Sequence, residues 1–545
     1  MKVLLAQINP TIGDIEGNCA KVLQAIKRAK NKNASLLLFP ELTLTGYFPD
    51  DLLLDHALIQ KAEEKLNQMA PMTEGMMVVI GLPRKSEKGT EKPLYNSAAI
   101  CMDGKVVGFQ DKVLLPTYDV FDERRYFESG KAHPIWEYRG LKIAITICED
   151  LWQHARAISE TDYEVDPVKE FEGRGVDLLF NLSGSPYSFR RKERRVSIFR
   201  EVVKTLSCPL FFCNQVGAND QLIFDGHSFV LRADGEVALM GRGFVEEDLL
   251  IDLEKDLPQR KMIEDEGIAD LYQALVLGVR DYFHKQGFQK AILGLSGGID
   301  SALVAAIACE ALGKEQVIAL SLPSRYNAPT SLSDAKLLAQ NLGLAFQVVS
   351  IDPIFQQYLD LFTSLFGKAP SDMTQQNLQA RIRGMILMAF SNEHGLILLN
   401  TSNKSEMAFG YATLYGDMAG GLGVLQDVTK GKIYRLAHFV NREKEVIPIS
   451  IIQKIPSAEL TENQTDFDTL PPYEVLDPVV DGYLENGDSL EALQKELGLS
   501  FSFLQDLILK IHRSEYKRRQ APIGLRVTEK AFGKGRIVPI VQKWR

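Results

Sequence analysis

A glycine turn between two apolar runs constrains this chain most strongly. Residues 291–295, Ala-Ile-Leu-Gly-Leu, favour a buried strand, and residues 302–308, Ala-Leu-Val-Ala-Ala-Ile-Ala, favour a packed helix. Between them, residues 296–301 have the sequence Ser-Gly-Gly-Ile-Asp-Ser. A strand, a glycine turn and a helix start in this order point backbone N–H groups and the positive helix end toward a phosphate. We therefore predict nucleotide binding here, with an ordinary tight turn as the plainer alternative.

Alternating strands and helices surround this turn. The predicted helices span 266–286, 331–341, 353–366 and 374–392, and the predicted strands that follow the turn span 317–322, 345–351 and 396–400. Strands separated by helices of this length pair in parallel through right-handed crossovers. The second half of the chain is therefore predicted to form a doubly wound parallel sheet, similar to a Rossmann fold.

Length and composition set the domain number and exclude some partners. A chain of 545 residues exceeds one ordinary core, and the charged stretch 252–261 lacks apolar periodicity. We expect one domain over 1–255 and another over 265–545. The formal net charge of −9 argues against nucleic acid as a partner, and no apolar run approaches the ~18 residues of a membrane span. Six scattered cysteines without a paired motif, and a strand starting at Val3, predict a cytoplasmic protein.

Polar residues follow several predicted strands in the first half. Glu41 follows the strand at 35–39, Lys112 follows the strand at 106–110, and Cys148 lies near the end of the strand at 141–150. A thiolate attacks a carboxamide when a base takes its proton and a cation holds the oxyanion. Glu41 is the candidate base and Lys112 the candidate cation, so these three residues predict an amide-hydrolysing triad.

The motifs around this triad resemble the nitrilase, or carbon–nitrogen hydrolase, family. They are Phe-Pro-Glu-Leu at 39–42, Lys-Val-Leu-Leu-Pro at 112–116, and Ile-Cys-Glu-Asp-Leu-Trp at 147–152. The resemblance implies an αββα sandwich that hydrolyses an amide through a thioester, with Glu123 as a supporting acid. It also implies that the amino-acid end of L-glutamine is held by Tyr118, Ser185 and Arg191. The basic run 190–195 is expected to be the exposed start of a helix at 192–206.

The glycine turn resembles the pyrophosphate loop of the ATP pyrophosphatases, and the sequence beyond it resembles the synthetase domain of the NAD synthetases. The motifs that carry this are Gln-Asn-Leu-Gln-Ala-Arg-Ile-Arg at 376–383, Asn-Thr-Ser-Asn-Lys-Ser-Glu at 400–406 and Asp-Val-Thr-Lys at 427–430. The implied ATP-binding residues are Gly294, Leu295, Ser296, Gly297, Gly298, Ile299, Asp300, Ser301 and Thr401. The implied deamido-NAD-binding residues are Asn377, Arg381, Glu406, Asp417, Lys430 and Lys517. Asp300 and Glu406 are the implied Mg²⁺ ligands, since carboxylates beside ATP phosphates commonly hold this ion.

Together the resemblances imply a ligase with two coupled half-reactions. L-Glutamine is hydrolysed at the first site, and the ammonia amidates deamido-NAD, activated by ATP as an adenylate, at the second. Substrates are therefore expected to be small molecules, and the protein is expected to be a homo-oligomer. Two alternatives remain: a nitrilase-type amidase with an ATP-sensing domain, and a tRNA-thiolating pyrophosphatase. The acidic stretch 459–477 is either a surface loop or a lid over the substrates.

Overall fold

The computed structural model describes residues 1–156, 161–255, 267–462, 464–468 and 470–544. The chain divides into two compact units, Met1–Asp265 and Glu266–Arg545. This division lies close to the predicted domains 1–255 and 265–545. Residues 256–261 of the predicted linker, and residue 266 at the start of a predicted helix, lie outside the described residues.

The first unit contains the following elements. Its strands are β1 (Lys2–Gln7), β2 (Leu36–Leu38), β3 (Met77–Lys85), β4 (Leu94–Met102), β5 (Lys105–Asp111), β6 (Ile135–Tyr138), β7 (Leu141–Ile147), β8 (Leu178–Ser183), β9 (Leu210–Asn214), β10 (Val216–Asn219), β11 (Leu222–Asp225), β12 (Phe229–Leu231), β13 (Val237–Met240) and β14 (Glu247–Asp252). Its helices are α1 (Ile15–Asn31), α2 (His56–Met69) and α3 (Arg191–Leu206).

Two sheets face each other in this unit. One orders its strands β14-β1-β2-β3-β4-β5, and the other β13-β12-β9-β8-β7-β6. Leu5 and Val79 from the first sheet share a buried cluster with Ile145 and Phe180 from the second, so the inner faces pack on each other. The outer face of the first sheet packs on α1 and α2, and that of the second on α3. The αββα sandwich predicted from the sequence is therefore confirmed.

The second unit contains these elements. Its strands are β15 (Ala291–Gly294), β16 (Val317–Ser321), β17 (Ala345–Val348), β18 (Ile397–Asn400) and β19 (Leu422–Gly423). Its helices are α4 (Ile268–Gln286), α5 (Ile299–Leu312), α6 (Pro329–Leu342), α7 (Asp352–Phe366), α8 (Asp372–His394), α9 (Lys404–Phe409), α10 (Lys430–Val440), α11 (Ile449–Gln453), α12 (Tyr473–Val480), α13 (Leu490–Leu497), α14 (Phe501–Arg513) and α15 (Glu515–Arg518).

The sheet of this unit confirms the predicted doubly wound topology. Its strands run in the order β17-β16-β15-β18-β19, and every neighbouring pair is parallel. Side chains of α7 and α8 form a buried apolar cluster with one face of this sheet. Helices α5 and α6 are not part of this cluster but also contact the strands. The strand order reverses between β15 and β18, and in open parallel sheets ligands bind at the carboxyl ends of such strands.

Several local predictions need correction. The strand predicted over 141–150 ends at Ile147, because Cys148 leaves the extended region with φ +42°. The strand predicted over 345–351 ends at Val348. The stretch 459–477, predicted to be a loop or lid, includes the start of helix α12 at Tyr473. Within the described ranges, no helix combines the length and apolarity that crossing a membrane requires.

Candidate active sites

The first candidate site assembles at the carboxyl ends of strands from both sheets of the sandwich. Glu41 follows β2, Lys112 follows β5 directly, and Cys148 follows β7 directly. β2 and β5 belong to one sheet and β7 to the other. All three residues are buried, with exposed fractions of 0%, 1% and 6%. The fold thus brings the predicted triad to one end of the sandwich.

Lys112 lies at the centre of a buried ion cluster. Its Nζ donates hydrogen bonds to Glu41 Oε1 and to Glu123 Oε1, both at 2.7 Å. Asn96 Nδ2 donates to Glu41 Oε1 at 2.7 Å, and the Gly184 backbone N–H donates to Glu41 Oε2 at 2.9 Å. Each carboxylate oxygen of Glu41 therefore has a fixed donor, which orients the candidate base.

Burial and charge set the protonation states of this cluster. Burial alone disfavours the lysine charge, but Glu123 and Glu41 outweigh it, so the pKa of Lys112 lies well above its ordinary value. Burial raises the pKa of Glu123 to about 7, although Lys112 opposes this. Burial, reinforced by Glu41, raises the pKa of the Cys148 thiol well above its ordinary value, with Lys112 opposing. The resting thiol is therefore protonated beside a candidate base.

The predicted glutamine-binding residues lie in different surroundings. Tyr118 Oη donates to Glu149 Oε1 at 3.0 Å, and the Arg191 guanidinium lies 4.3 Å from the centre of the Trp152 ring. Both therefore contact the turn that follows Cys148. Ser185 is buried after β8, and its Oγ accepts a hydrogen bond from Arg195 Nε at 3.1 Å.

Sequence reasoning missed three polar residues of this site. Burial raises the pKa of Glu149 to about 7 against the opposing effect of Lys112, and Tyr118 and Tyr163 both donate to its carboxylate. Asn96, in β4, holds Glu41. Arg195 has no exposed surface, which corrects the prediction of an exposed basic run. Its spacing of four from the apolar Phe199 indicates the buried face of the helix and could have revealed this. Glu149 was signalled only by its position next to the cysteine.

The second candidate site is a cavity of about 310 Å³ at the switch point of the parallel sheet. The turn after β15 and the segment after β18 both contribute to its wall. The predicted residues that line it are Gly294, Leu295, Ser296, Gly298, Ile299, Asp300, Ser301, Thr401, Glu406, Asp417 and Lys430. Pockets for small molecules begin at about this volume.

The glycine turn is stabilised by its own two serines. Ser301 Oγ accepts from the Ser296 N–H at 3.3 Å and donates to the Gly298 carbonyl at 3.0 Å. Gly297 has φ +82°, and a Cβ there would come within 2.2 Å of the Ser331 carbonyl oxygen. The structure shows that Gly297 is required by backbone conformation and by packing against α6.

Charged side chains face each other beside this turn. Lys430 Nζ donates to Asp300 Oδ2 at 2.5 Å, and Asn403 Nδ2 donates to Asp300 Oδ1 at 3.0 Å. Glu406 accepts from the Asn403 N–H at 3.2 Å within a capping box at the start of α9. Burial, then the charge of Asp300, raises the pKa of Glu406 to about 8, and Lys430 opposes this. The structure therefore places both candidate metal ligands around one lysine.

The remaining predicted substrate residues gather around segment 410–417. Thr413 Oγ1 donates to Asn377 Oδ1 at 2.9 Å, and the Thr413 N–H donates to Asp417 Oδ1 at 2.6 Å. Lys517 Nζ donates to the carbonyls of Gly410 and Ala412, each at 2.7 Å.

Two arginines of α8 differ in placement. Arg381 is exposed and donates from Nε to the Leu414 carbonyl at 3.2 Å. Arg383, which the sequence argument did not assign, lines the cavity instead. Its Nε donates to the Leu322 carbonyl at 2.9 Å, and burial lowers its pKa to about 10. The spacing of two between these arginines turns them to different sides of the helix.

Comparison with known proteins decides the family. The carbon-nitrogen hydrolase family matches residues 2–253, and the NAD synthase family matches residues 271–521. A glutamine-dependent NAD(+) synthetase from Synechocystis sp. is 44% identical, over 99% of this chain and 98% of the relative. This chain belongs to the family of glutamine-dependent NAD(+) synthetases. The relative from Thermotoga maritima is 39% identical, over 100% of this chain and 99% of the relative.

Solved structures agree with this family. The glutamine-dependent NAD+ synthetase from Acinetobacter baumannii, in complex with ADP, has a TM-score of 0.78 and 38% identity, covering 100% of this chain and 99% of the other. Membership of the family confirms the predicted activity, glutamine-dependent NAD synthesis, and the assignment to the ligases. The amidase with an ATP-sensing domain is not favoured, because the whole chain matches synthetases that use glutamine.

Proposed function

We propose that the side-chain amide of L-glutamine is hydrolysed at Cys148, with Glu41 as general base and Lys112 as the cation that stabilises the oxyanion. The observation that carries this proposal is the buried Lys112 ammonium, 2.7 Å from Glu41 and close enough to Cys148 to oppose the rise in its pKa. Because burial keeps the thiol protonated, a neighbouring base has to take its proton before sulfur attacks. Glu41, held by Asn96 and Gly184, is oriented for that transfer.

The proposed hydrolysis takes two steps. Glu41 takes the thiol proton, sulfur attacks the amide carbon, the C–N bond breaks, and the proton leaves with nitrogen as ammonia. A glutamyl thioester remains on Cys148. Glu41 then takes a proton from water, the water oxygen attacks the thioester carbon, the C–S bond breaks, and the proton returns to sulfur. In both steps Lys112 donates a hydrogen bond to the carbonyl oxygen on which negative charge develops.

The amino-acid end of glutamine would be held by Tyr118, Ser185 and Arg191, together with Glu149. The Arg191 guanidinium suits the α-carboxylate, and the Glu149 carboxylate suits the α-ammonium. Arg195 supports this assignment through Ser185. Because Arg195 Nε can only donate, the Ser185 oxygen accepts, and its own hydrogen is left to donate to a substrate carboxylate.

ATP would bind at the glycine turn, in the cavity at the end of β15 and β18. The N-terminus of α5 and the backbone of residues 296–299 suit the phosphates, and Thr401 also lines the cavity. An ADP complex of the Acinetobacter baumannii relative supports an adenine nucleotide as the ligand.

Magnesium would accompany the nucleotide. Among the described side chains, no group of three or more His, Cys, Asp or Glu is arranged to hold a metal alone. Asp300 and Glu406 nevertheless fit a magnesium that takes its other ligands from phosphates, because Mg²⁺ usually binds one or two carboxylates beside substrate oxygens. Burial, then the charge of Asp300, raises the pKa of Glu406, and a cation beside the two carboxylates would favour their charged forms. When bound, the ion would neutralise charge that develops on the phosphates.

Deamido-NAD would lie between this turn and segment 410–417, contacting Asn377, Arg381, Glu406, Asp417, Lys430 and Lys517. Asp417 and Lys430 line the same cavity as the glycine turn, which supports a nicotinate carboxylate near the ATP α-phosphate. The carboxylate oxygen attacks that phosphorus and pyrophosphate leaves. Ammonia then attacks the acyl carbon, the bond to AMP breaks, and NAD forms with release of one proton.

Product analysis of Cys148→Ala tests this division of labour. Glutamine-driven NAD synthesis and glutamate release should vanish, whereas ammonium-driven synthesis should survive and increase with pH as more NH₃ forms. Cys101→Ala, another buried cysteine of the same unit, is the matched control and should retain both activities. Continued use of glutamine by Cys148→Ala would place the nucleophile elsewhere.

We also propose a cytoplasmic homo-oligomer. An exposed apolar face of α7 supports self-association: Leu361, Leu365 and Phe366 have exposed fractions of 51%, 66% and 55%. Contiguous apolar surface of this kind marks interaction sites. The particle mass in solution tests the proposal, and a monomer at micromolar concentration would contradict it.

A further inference from the structure

Asp150 connects the two sheets of the sandwich next to the candidate triad. Its Oδ1 accepts hydrogen bonds from the backbone N–H groups of Val113 at 3.0 Å and Leu114 at 2.9 Å. Its Oδ2 accepts from the Ile147 N–H at 2.9 Å. The residue is 1% exposed. One buried carboxylate thus holds three backbone groups from two different strand ends.

The two strand ends are those that carry the reacting groups. Val113 follows Lys112 directly at the end of β5, in the first sheet, and Ile147 precedes Cys148 directly at the end of β7, in the second. The candidate nucleophile and the candidate cation therefore come from different sheets, and their separation depends on how these two ends are fixed.

The backbone at Cys148 also needs support. Its φ of +42° lies in the left-handed region, which non-glycine residues rarely adopt. The bond from the Ile147 N–H to Asp150 closes the turn over Cys148–Leu151 in which that conformation occurs. Strained backbone of this kind persists only where its surroundings hold it in place.

We propose that Asp150 is a positioning residue for glutamine hydrolysis: its carboxylate fixes the Cys148 thiol relative to the Lys112 ammonium. The inference rests on the proposed roles of these two residues. Asp150 does not touch the substrate; it acts through the backbone on both sides of the site.

Only a carboxylate satisfies this arrangement. It offers two acceptor oxygens and no donor, whereas an amide offers one oxygen and an NH₂ group that donates. In Asp150→Asn, one orientation of the amide directs NH₂ at the Ile147 N–H, and the flipped orientation directs it at Val113 and Leu114. Either way, one side of the connection is lost. Burial raises the pKa of Asp150 to about 6, with the Leu114 and Ile147 N–H groups and Lys112 opposing, so the residue is an acceptor at neutral pH.

The test compares Asp150→Asn with wild type in the full-length chain. Glutaminase kcat should fall on the order of 10²-fold, the loss expected from ångström-scale misplacement of reacting groups. The KM for glutamine and the ammonium-driven rate should stay within a few-fold of the wild-type values. Thr73→Val is the matched control. Thr73 is buried and hydrogen-bonds the backbone of Ala70 and Gly104. Gly104 lies in the turn between β4 and β5, whereas Lys112 follows the far end of β5. It should leave kcat within a few-fold.

Alkylation of Cys148 by iodoacetamide separates positioning from mere stability. In the wild-type background and in the Asp150→Asn background alike, the alkylation rate is measured with and without Cys148→Ala. The difference between the two rates reports this thiol alone. Because Lys112 would lie farther from the sulfur in Asp150→Asn, the pH midpoint of that difference should rise.

Each other result overturns an identifiable claim. A wild-type kcat or an unchanged alkylation midpoint in Asp150→Asn overturns the positioning role. Loss of ammonium-driven synthesis or of cooperative melting in that variant also overturns it, because Asp150 would then be a general structural residue. Retained glutamine use by Cys148→Ala overturns the proposed function instead.

Discussion

Replacing Lys112 with methionine gives the sharpest test of the ion cluster. Methionine has a similar length but no charge and no donor. The side chains of Lys112, Glu41 and Glu123 have no exposed surface, so the change leaves two carboxylates buried around an apolar group. Removing one partner of a buried ion pair costs about 3–5 kcal/mol. Proton uptake by Glu123, whose pKa is already raised to about 7 by burial, offsets part of that cost at neutral pH.

The effect on activity should exceed the effect on stability. Loss of one oxyanion donor lowers kcat on the order of 10²–10³-fold. For a unit of this size, about 3 kcal/mol corresponds to a melting-temperature decrease of roughly 5 °C. Glutamate release should therefore fall at least a hundredfold, while ammonium-driven NAD synthesis continues at a temperature where the variant is folded.

The assay follows glutamate and NAD separately and includes Lys105→Met as the control. Lys105 is an exposed lysine at the start of β5, the strand that Lys112 follows, so its loss should change neither product more than a few-fold. Glutaminase turnover within a few-fold of wild type in Lys112→Met would refute the oxyanion role. Equal loss of both products from a folded variant would refute the separation of the two sites.

Two further predictions concern carboxylates. Asp300→Ala should abolish NAD formation from both glutamine and ammonium and leave glutamate release intact, because Asp300 pairs with Lys430 beside the glycine turn; undiminished synthesis with ammonium would exclude this role. In the wild type, the KM for glutamine should decrease as pH rises through about 7, where Glu149 ionises. Glu149→Gln should raise this KM and remove its dependence on pH in that range. Since its folded pKa lies above the unfolded value near 4.5, burial of Glu149 should also make the free protein less stable as pH rises between these values. A wild-type KM profile that stays flat across this range would contradict the assignment.

Local patterns in the sequence were sufficient for many elements. The strand predicted at 396–400 differs from β18 by one residue, and the helix predicted at 353–366 differs from α7 by one residue. Apolar runs and periodicity act over a few residues, so they are visible in the sequence. The same locality made Glu41, Lys112 and Cys148 visible near the ends of predicted strands, although the strand predicted at 141–150 ran past Cys148.

Pairing between distant segments was not visible. β1 pairs with β14, so Lys2 lies opposite Asp252, and no short pattern in the sequence encodes a contact over that separation. The use of α12, α13 and α14 to build a separate helical cluster was likewise not anticipated.

The sequence by itself therefore determined which residues are candidates for the chemistry and, for Glu41 and Lys112, which strand each of them follows. Only the tertiary structure decided their partners: Asn96 on Glu41, Arg195 on Ser185, and Asp150 across both sheets. Each of these polar side chains is buried, and a buried polar group takes its role from the donors and acceptors that the fold brings to it. Those neighbours come from other strands, so a single stretch of sequence cannot specify them.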